Sequence, residues 1–263
     1  MVKKIFAILM ISTLLVTSLV GCKDNSKKST SPTNAKTSAS PIAKTQGTAK
    51  PAATLNSAAG DVTASPVANT TAVTEYSIEL DFKMTLDIAG VVFGYVDGTN
   101  FCMWQVNSWN YGNDIAQSIP ESDKLVYIRP HVWTAGVWAV LVEQDISNAI
   151  KWEAAAKKHH LKITVSPANE VNTYIDTVLV YTCTEPMAAY GLFGFRESSA
   201  TEMASYDNIV ITNTATKAVL FQANFDNGVN PFPEGEIIDM DGSPALSLTT
   251  LTGENGTCIF GLE

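Results

Sequence analysis

"YSIELDFKMTLD", residues 76–87, decides the fold. Ile78, Leu80, Phe82, Met84 and Leu86 alternate with Glu79, Asp81, Lys83, Thr85 and Asp87, a period of two that puts one apolar face on a core and one polar face in water. A helix would scatter the same residues around its circumference. Further runs of β character are expected at 91–96, 101–109, 124–133, 137–146, 161–166, 172–181, 190–196 and 206–212. Turn signals separate them: Asp97-Gly98, Asn110-Tyr111-Gly112-Asn113, Ala135-Gly136 and Pro167-Ala168-Asn169. The one helix-like patch, Ile150 to Lys158, is long enough only for a turn or two in a connection. Many short strands at regular spacing predict an all-β antiparallel sandwich or barrel, and residues 76–263 suit one domain with a sizeable core.

Upstream the composition changes. Lys3 and Lys4 precede an apolar stretch from Ile5 to Val20, which ends in Leu19-Val20-Gly21-Cys22. This is the pattern of a secretory signal over residues 1–22, and its last four residues resemble the lipobox of bacterial lipoproteins. The resemblance implies that the Cys22 thiol is lipidated, with the chain held at the cell envelope on the extracytoplasmic side of a bacterial membrane. A membrane-spanning anchor is the other reading, for which the apolar run is short. Residues 23–75 are rich in Lys, Ser, Thr, Ala and Pro, and no aromatic residue occurs between Phe6 and Tyr76. Such a segment buries too little to offset its ordering entropy and is expected to be a disordered tether of ~40 Å end to end. A glycosylated stalk would use the same composition.

Residues 76–263 carry 9 Lys or Arg against 23 Asp or Glu, a net charge of −14. Nucleic acid, which needs clustered basic charge, is therefore not an expected partner. With Cys22 set aside, Cys102, Cys183 and Cys258 remain, an odd number that leaves one disulfide plus a thiol, or three thiols. No Cys-x-x-Cys pair offers a structural zinc site.

The segments "AGVVFGYVDGTNFCMWQV" (89–106), "YIRPHVW" (127–133), "HHLKITVSPANEVNTYIDTVLV" (159–180) and "YGLFGFRESSATEMASYDNIVIT" (190–212) resemble, in that order, the concanavalin A-like (laminin-G-like) jelly rolls. Such domains include accessory modules of carbohydrate-active enzymes, some α-L-rhamnosidases among them. The resemblance implies an antiparallel jelly-roll β-sandwich. Two departures stand out. The turn after "TYID", often Asp-Gly or Asn-Gly in the family, is Asp176-Thr177, so a differently shaped hairpin is expected. The opening piece of the family pattern is absent ahead of Tyr76 and reappears as "LFQANFDNGVNPFPEGEIIDMDGSPALSL", residues 220–248. This implies a circularly permuted arrangement in which Phe221, Phe225 and Phe232 anchor the returning segment.

Catalytic patterns are missing. A glycosidase needs two carboxylates across the scissile bond. Some enzymes of this fold carry Glu-x-Asp-x-x-Glu on one strand, but Glu79-Leu80-Asp81 lacks the second glutamate and reads as the polar face of its strand. His131, His159 and His160 lack metal-ligand spacing. Asp207, at a strand entrance and sharing the parity of Ile209 and Ile211, reads as a cap for loop amides, with calcium ligation as the alternative. No other cofactor is expected.

Binding has more support. In 101–109, Cys102, Trp104 and Val106 share one face while Gln105, Asn107 and Trp109 share the other. In 124–133, Val126, Ile128 and Val132 oppose Tyr127, Arg129, His131 and Trp133. Aromatic rings that stack on sugar C–H faces, beside planar groups that read hydroxyls, are what a glycan platform requires. The expectation is a lipid-anchored, non-catalytic protein that binds a glycan or polysaccharide through these seven residues. The alternatives are a structural or protein-interaction role for the same sheet and, further off, a glycan-active hydrolase.

Overall fold

The computed structural model describes residues 73–108, 118–197, 199 and 202–261. Cys22, the signal, residues 23–72 of the tether and Trp109 lie outside the described residues.

The first strand forms where the alternation is strictest, β1 (Tyr76–Met84), and its neighbours build two antiparallel sheets. The first sheet runs β13 (Glu236–Met240), β14 (Ser243–Leu248), β11 (Ala204–Asn213), β1, β7 (His159–Val165), β8 (Glu170–Ile175), β9 (Val178–Thr184). The second runs β15 (Thr257–Ile259), β10 (Leu192–Arg196), β2 (Ile88–Asp97), β3 (Asn100–Asn107), β4 (Tyr127–Thr134), β5 (Val137–Val140). The result is an antiparallel jelly-roll β-sandwich. Its main core takes Ile78, Leu80, Phe82 and Met84 from one sheet and Val91, Phe93, Trp104 and Ile128 from the other. Trp104 pays for its buried indole N–H by donating across the core to Thr173 Oγ1 at 2.9 Å.

The C-terminal segment closes both sheets. The free side of β11 is shared between β14, opposite Ala204–Tyr206, and β12 (Val219–Ala223), opposite Ile209–Thr212. Phe221, Phe225 and Phe232 are buried in the main core, as expected for anchors. β15 then crosses to the other sheet and pairs with β10.

Three local expectations need correction. The run 172–181 is two strands, because Asp176 (φ 46°) and Thr177 (φ 73°) form a two-residue loop between the paired Ile175 and Val178. Positive φ at both positions is the ordinary type I′ hairpin, so the turn keeps the usual shape without its usual glycine. The run 137–146 is broken into β5 and β6 (Gln144–Asp145), both paired with β4. Between them lies Pro130, whose carbonyl accepts from Leu141 N at 2.9 Å but which has no N–H to return. The patch from Ile150 to Lys158, by contrast, holds the short turn expected of a connection, a 3-10 turn at Trp152–Ala154. Finally, Asp207 does not share the face of Ile209. A bulge at Asn208 (φ 51°) shifts the register, so Tyr206 and Ile209 both point into the core and Asp207 points away.

Candidate functional site

Strand register lays out the outer face of the second sheet in rows. Phe101, Trp133 and Trp138 form one; Met103, His131 and Val140 the next; then Gly90, Gln105 and Arg129; then Ile88, Asn107 and Tyr127. The side chains of β3 and β4 divide between the two faces as their alternation predicts. The outer face is not uniformly polar, however. Val92, Tyr95, Phe101, Met103, Trp133 and Ile259 pack there as a second apolar cluster.

A cleft of about 520 Å³ opens beside that cluster. Of the seven residues nominated by parity, Gln105, Arg129, His131 and Trp133 line it. Asn107 is fully buried and Tyr127 half-buried, and neither lines it. Trp109 belongs to the residues outside the description.

The aromatic wall is a three-ring stack. Trp133, only 6% exposed, lies 4.5 Å from Phe101 on one side and 6.2 Å from Trp138 on the other, centroid to centroid. Trp138 is 57% exposed and presents the free face. It sits opposite Trp133 because the Ala135-Gly136 turn joins Thr134 to Val137. That turn was visible in the sequence, and counting outward from it would have found Trp138.

The polar wall comes from further away in the chain. Arg196, at the end of β10, is half-buried, and its guanidinium lies 5.4 Å from the centre of the Trp133 ring. Its Nε donates to the Asn255 carbonyl at 2.8 Å, while Nη1 lies 3.9 Å from the Met103 sulfur. Gly90 gives it room: a Cβ there would stand 2.5 Å from the Arg196 carbonyl oxygen. Arg129 is held by Glu143 at 2.9 Å and donates to Gln105 Oε1 at 3.3 Å. Arg129 and Arg196 are the only two arginines of the chain, and both line this cleft. That coincidence was legible as composition but gains meaning only when β10 and β4 are brought to one face.

His131 lies between them, 5% exposed, edge-on to Trp133 and Trp138, with neither ring nitrogen hydrogen-bonded. Burial, reinforced by Arg129 and Arg196, lowers its pKa to about 4, so the ring is neutral near pH 7. At the other end, Asp87 and Glu202 line the cleft. One carboxylate oxygen of Asp87 is buried without a partner, and burial, with Glu202 nearby, raises its pKa to about 6. Glu197 lies fully buried in the protein interior, accepting from Tyr206 OH at 2.8 Å, and burial drives it well above the ordinary carboxylate range.

Elsewhere the polar candidates are structural. Asp207 accepts from Asn208 N and from Ser243 Oγ at 2.7 Å, tying β11 to the β13–β14 hairpin. Glu79 pairs with Lys162 at 2.9 Å and Asp81 with His160 at 2.9 Å, both on the outer face of the first sheet. Among the described residues no three His, Cys, Asp or Glu side chains converge on a metal position. Cys102, Cys183 and Cys258 are all unbonded thiols. A second cavity, about 450 Å³, is lined mainly by apolar groups including Tyr190, Phe193, Phe221 and Phe260.

No family model matches the chain, and no curated protein does. Among solved structures it is similar to a carbohydrate-binding module from Bacillus subtilis, with 17% identity over 52% of this chain and 74% of that one and a TM-score of 0.38. It is also similar to a homodimeric agglutinin from chicken liver (12% identity, 44% and 76% covered, TM-score 0.31). Sheep galectin-11 in complex with glycerol gives 13% identity, 43% and 73% covered, and a TM-score of 0.28. The sandwich itself stands on its strand pairings.

Proposed function

We propose that the protein recognises a carbohydrate in the cleft on the outer face of the second sheet, without cleaving it. The observation that carries this reading is the exposed face of Trp138, stacked on Trp133, beside a cleft whose polar groups are buried and incompletely paired. A pyranose laid on Trp138 would offer its C–H face to the ring and a hydroxyl to His131, while Gln105 and Asp87, further along the cleft, supply donors and acceptors to a neighbouring sugar residue. Burying such groups unpaired costs free energy in the empty protein, and a hydroxyl-rich ligand returns it.

The same reading places the domain outside the cytoplasm on a tether, lipid-anchored through Cys22, where a glycan would be met. Calorimetric titration of the full chain against a glycan panel, repeated with Trp138→Ala, tests the proposal: binding should appear for at least one glycan and vanish in the variant. A second reading, docking of another protein, is favoured by one observation. Edge strand β5 exposes Val137 and Trp138 together. Capture of a protein partner with no response to any glycan would establish it instead.

A further inference from the structure

We infer that the cleft takes an acidic sugar, its carboxylate or sulfate group seated between the Arg196 guanidinium and the His131 ring. This rests on the carbohydrate reading and narrows it to a ligand class.

The argument begins with two incomplete side chains. Arg196 is a half-buried cation that makes no ion pair among the described residues. Its contacts are one carbonyl, one thioether and the face of Trp133. Glu202 and Glu197 favour its charge from a distance, but Glu197 is buried and drawn toward its neutral form. Taking a guanidinium out of water without a counter-ion is costly. His131, one strand row from Trp133, is buried with both nitrogens unsatisfied. Arg129 approaches the same ring from the next row. Two guanidiniums and an imidazole around one space supply N–H donors to an oxyanion, and the planar fork of an arginine fits a carboxylate or sulfate edge.

A neutral hydroxyl would satisfy His131 but leave Arg196 uncompensated. Asp87 does not occupy the same spot. Asp87 adjoins the Ile88–Asn107–Tyr127 row, four residues along β4 from His131, roughly 13 Å at strand spacing. There Asp87 faces a neighbouring residue of the saccharide, as a hydroxyl acceptor. Because the domain carries a net charge of −14, the ligand is a short acidic saccharide or a single acidic residue of a glycan, not a dense polyanion.

The test is an NMR titration of the full chain with glucuronate, galacturonate, their methyl esters, the 6-sulfates of glucose and galactose, and the two neutral sugars. The expected result is movement of the His131 ring and Trp138 indole signals with an acidic sugar. Its affinity should exceed that of the matching ester or neutral sugar by at least roughly tenfold. A response to uronate or to sulfate ester alone identifies the source of the oxyanion. Arg196→Gln should remove the preference while keeping a cooperative melt. If that variant unfolds, His131→Gln, which alters only one edge of the seat, should reduce the preference in its place. Equal binding of ester, neutral and acidic sugars, unchanged in these variants, would overturn the inference and leave the carbohydrate reading standing. No movement of Trp138 with any sugar would overturn both.

Discussion

Trp133 and Trp138 lie directly opposite each other across the β4–β5 pair, ring centroids 6.2 Å apart, yet one is buried and the other open to solvent. The two should therefore fail differently. Trp133→Ala removes the middle ring of a packed stack and should cost about 3 kcal/mol or more in stability. Trp138→Ala should cost under about 1 kcal/mol, because only a cross-strand contact is lost. Paired melting curves and glycan titrations check this. Trp138→Ala should keep the melt and lose binding, whereas an unaltered affinity would move the platform elsewhere.

Thr177 holds φ 73°, where a β-branched side chain is strained. Thr177→Gly restores the residue that a type I′ turn favours, and relief of strain should outweigh the added unfolded-state entropy. The expected gain is about 1 kcal/mol, or a rise of roughly 2–4 °C in Tm. An unchanged or lower Tm would show that the loop bears no strain.

Asp87 gives the domain a pH signature. Its carboxyl is raised from 3.8 unfolded to about 6 in the fold by burial and then by Glu202. The folded state therefore binds the proton more tightly, and this group's contribution to stability falls as pH rises from about 4 to about 6 and then levels. Asp87→Asn should flatten that part of the stability–pH curve and stabilise the protein at pH 7. Denaturant melts between pH 4 and 7 read the slope directly.

Deleting residues 218–263 should remove β12, β13, β14 and β15 together, baring one edge of β11, one edge of β10 and the phenylalanine core. Aggregation and loss of a cooperative melt are expected. A soluble, cooperatively melting truncation would make the segment an appendage.

Cys22→Ala should release the chain from membranes or leave its signal uncleaved, since acyl chains on that thiol provide the proposed anchor. Fractionation and lipid labelling measure it, and unchanged labelling would reject the lipid assignment.

What could be read in the sequence was whatever period two controls. The core face of β1 and the division of β3 and β4 between two faces follow from alternation, while the return of Phe221, Phe225 and Phe232 to the core is implied by the family resemblance. Alternation fails where one inserted residue resets it, as at Asn208, and it is silent about neighbours distant in the chain. Asp87, Arg196 and Glu202 reach the cleft from a β1–β2 connection, the end of β10 and the β10–β11 loop. Their convergence is set by sheet order and by the space at Gly90, neither of which has a local signature. Alternation also nominated Asn107, which is fully buried and outside the cleft lining, because it cannot distinguish an outer face from an exposed one.

The late position of β12 to β15 constrains how the chain can be made. The second side of β11 is paired once residues 219–248 are available, but that of β10 only when residue 259 is, about 50 residues after β11 is complete. At ~5–20 residues per second, a ribosome needs roughly 3–10 seconds to supply them. During that interval β10 presents unpaired backbone to any neighbouring nascent chain. The β10–β15 ladder is therefore the last sheet pairing whose strands become available in chain order.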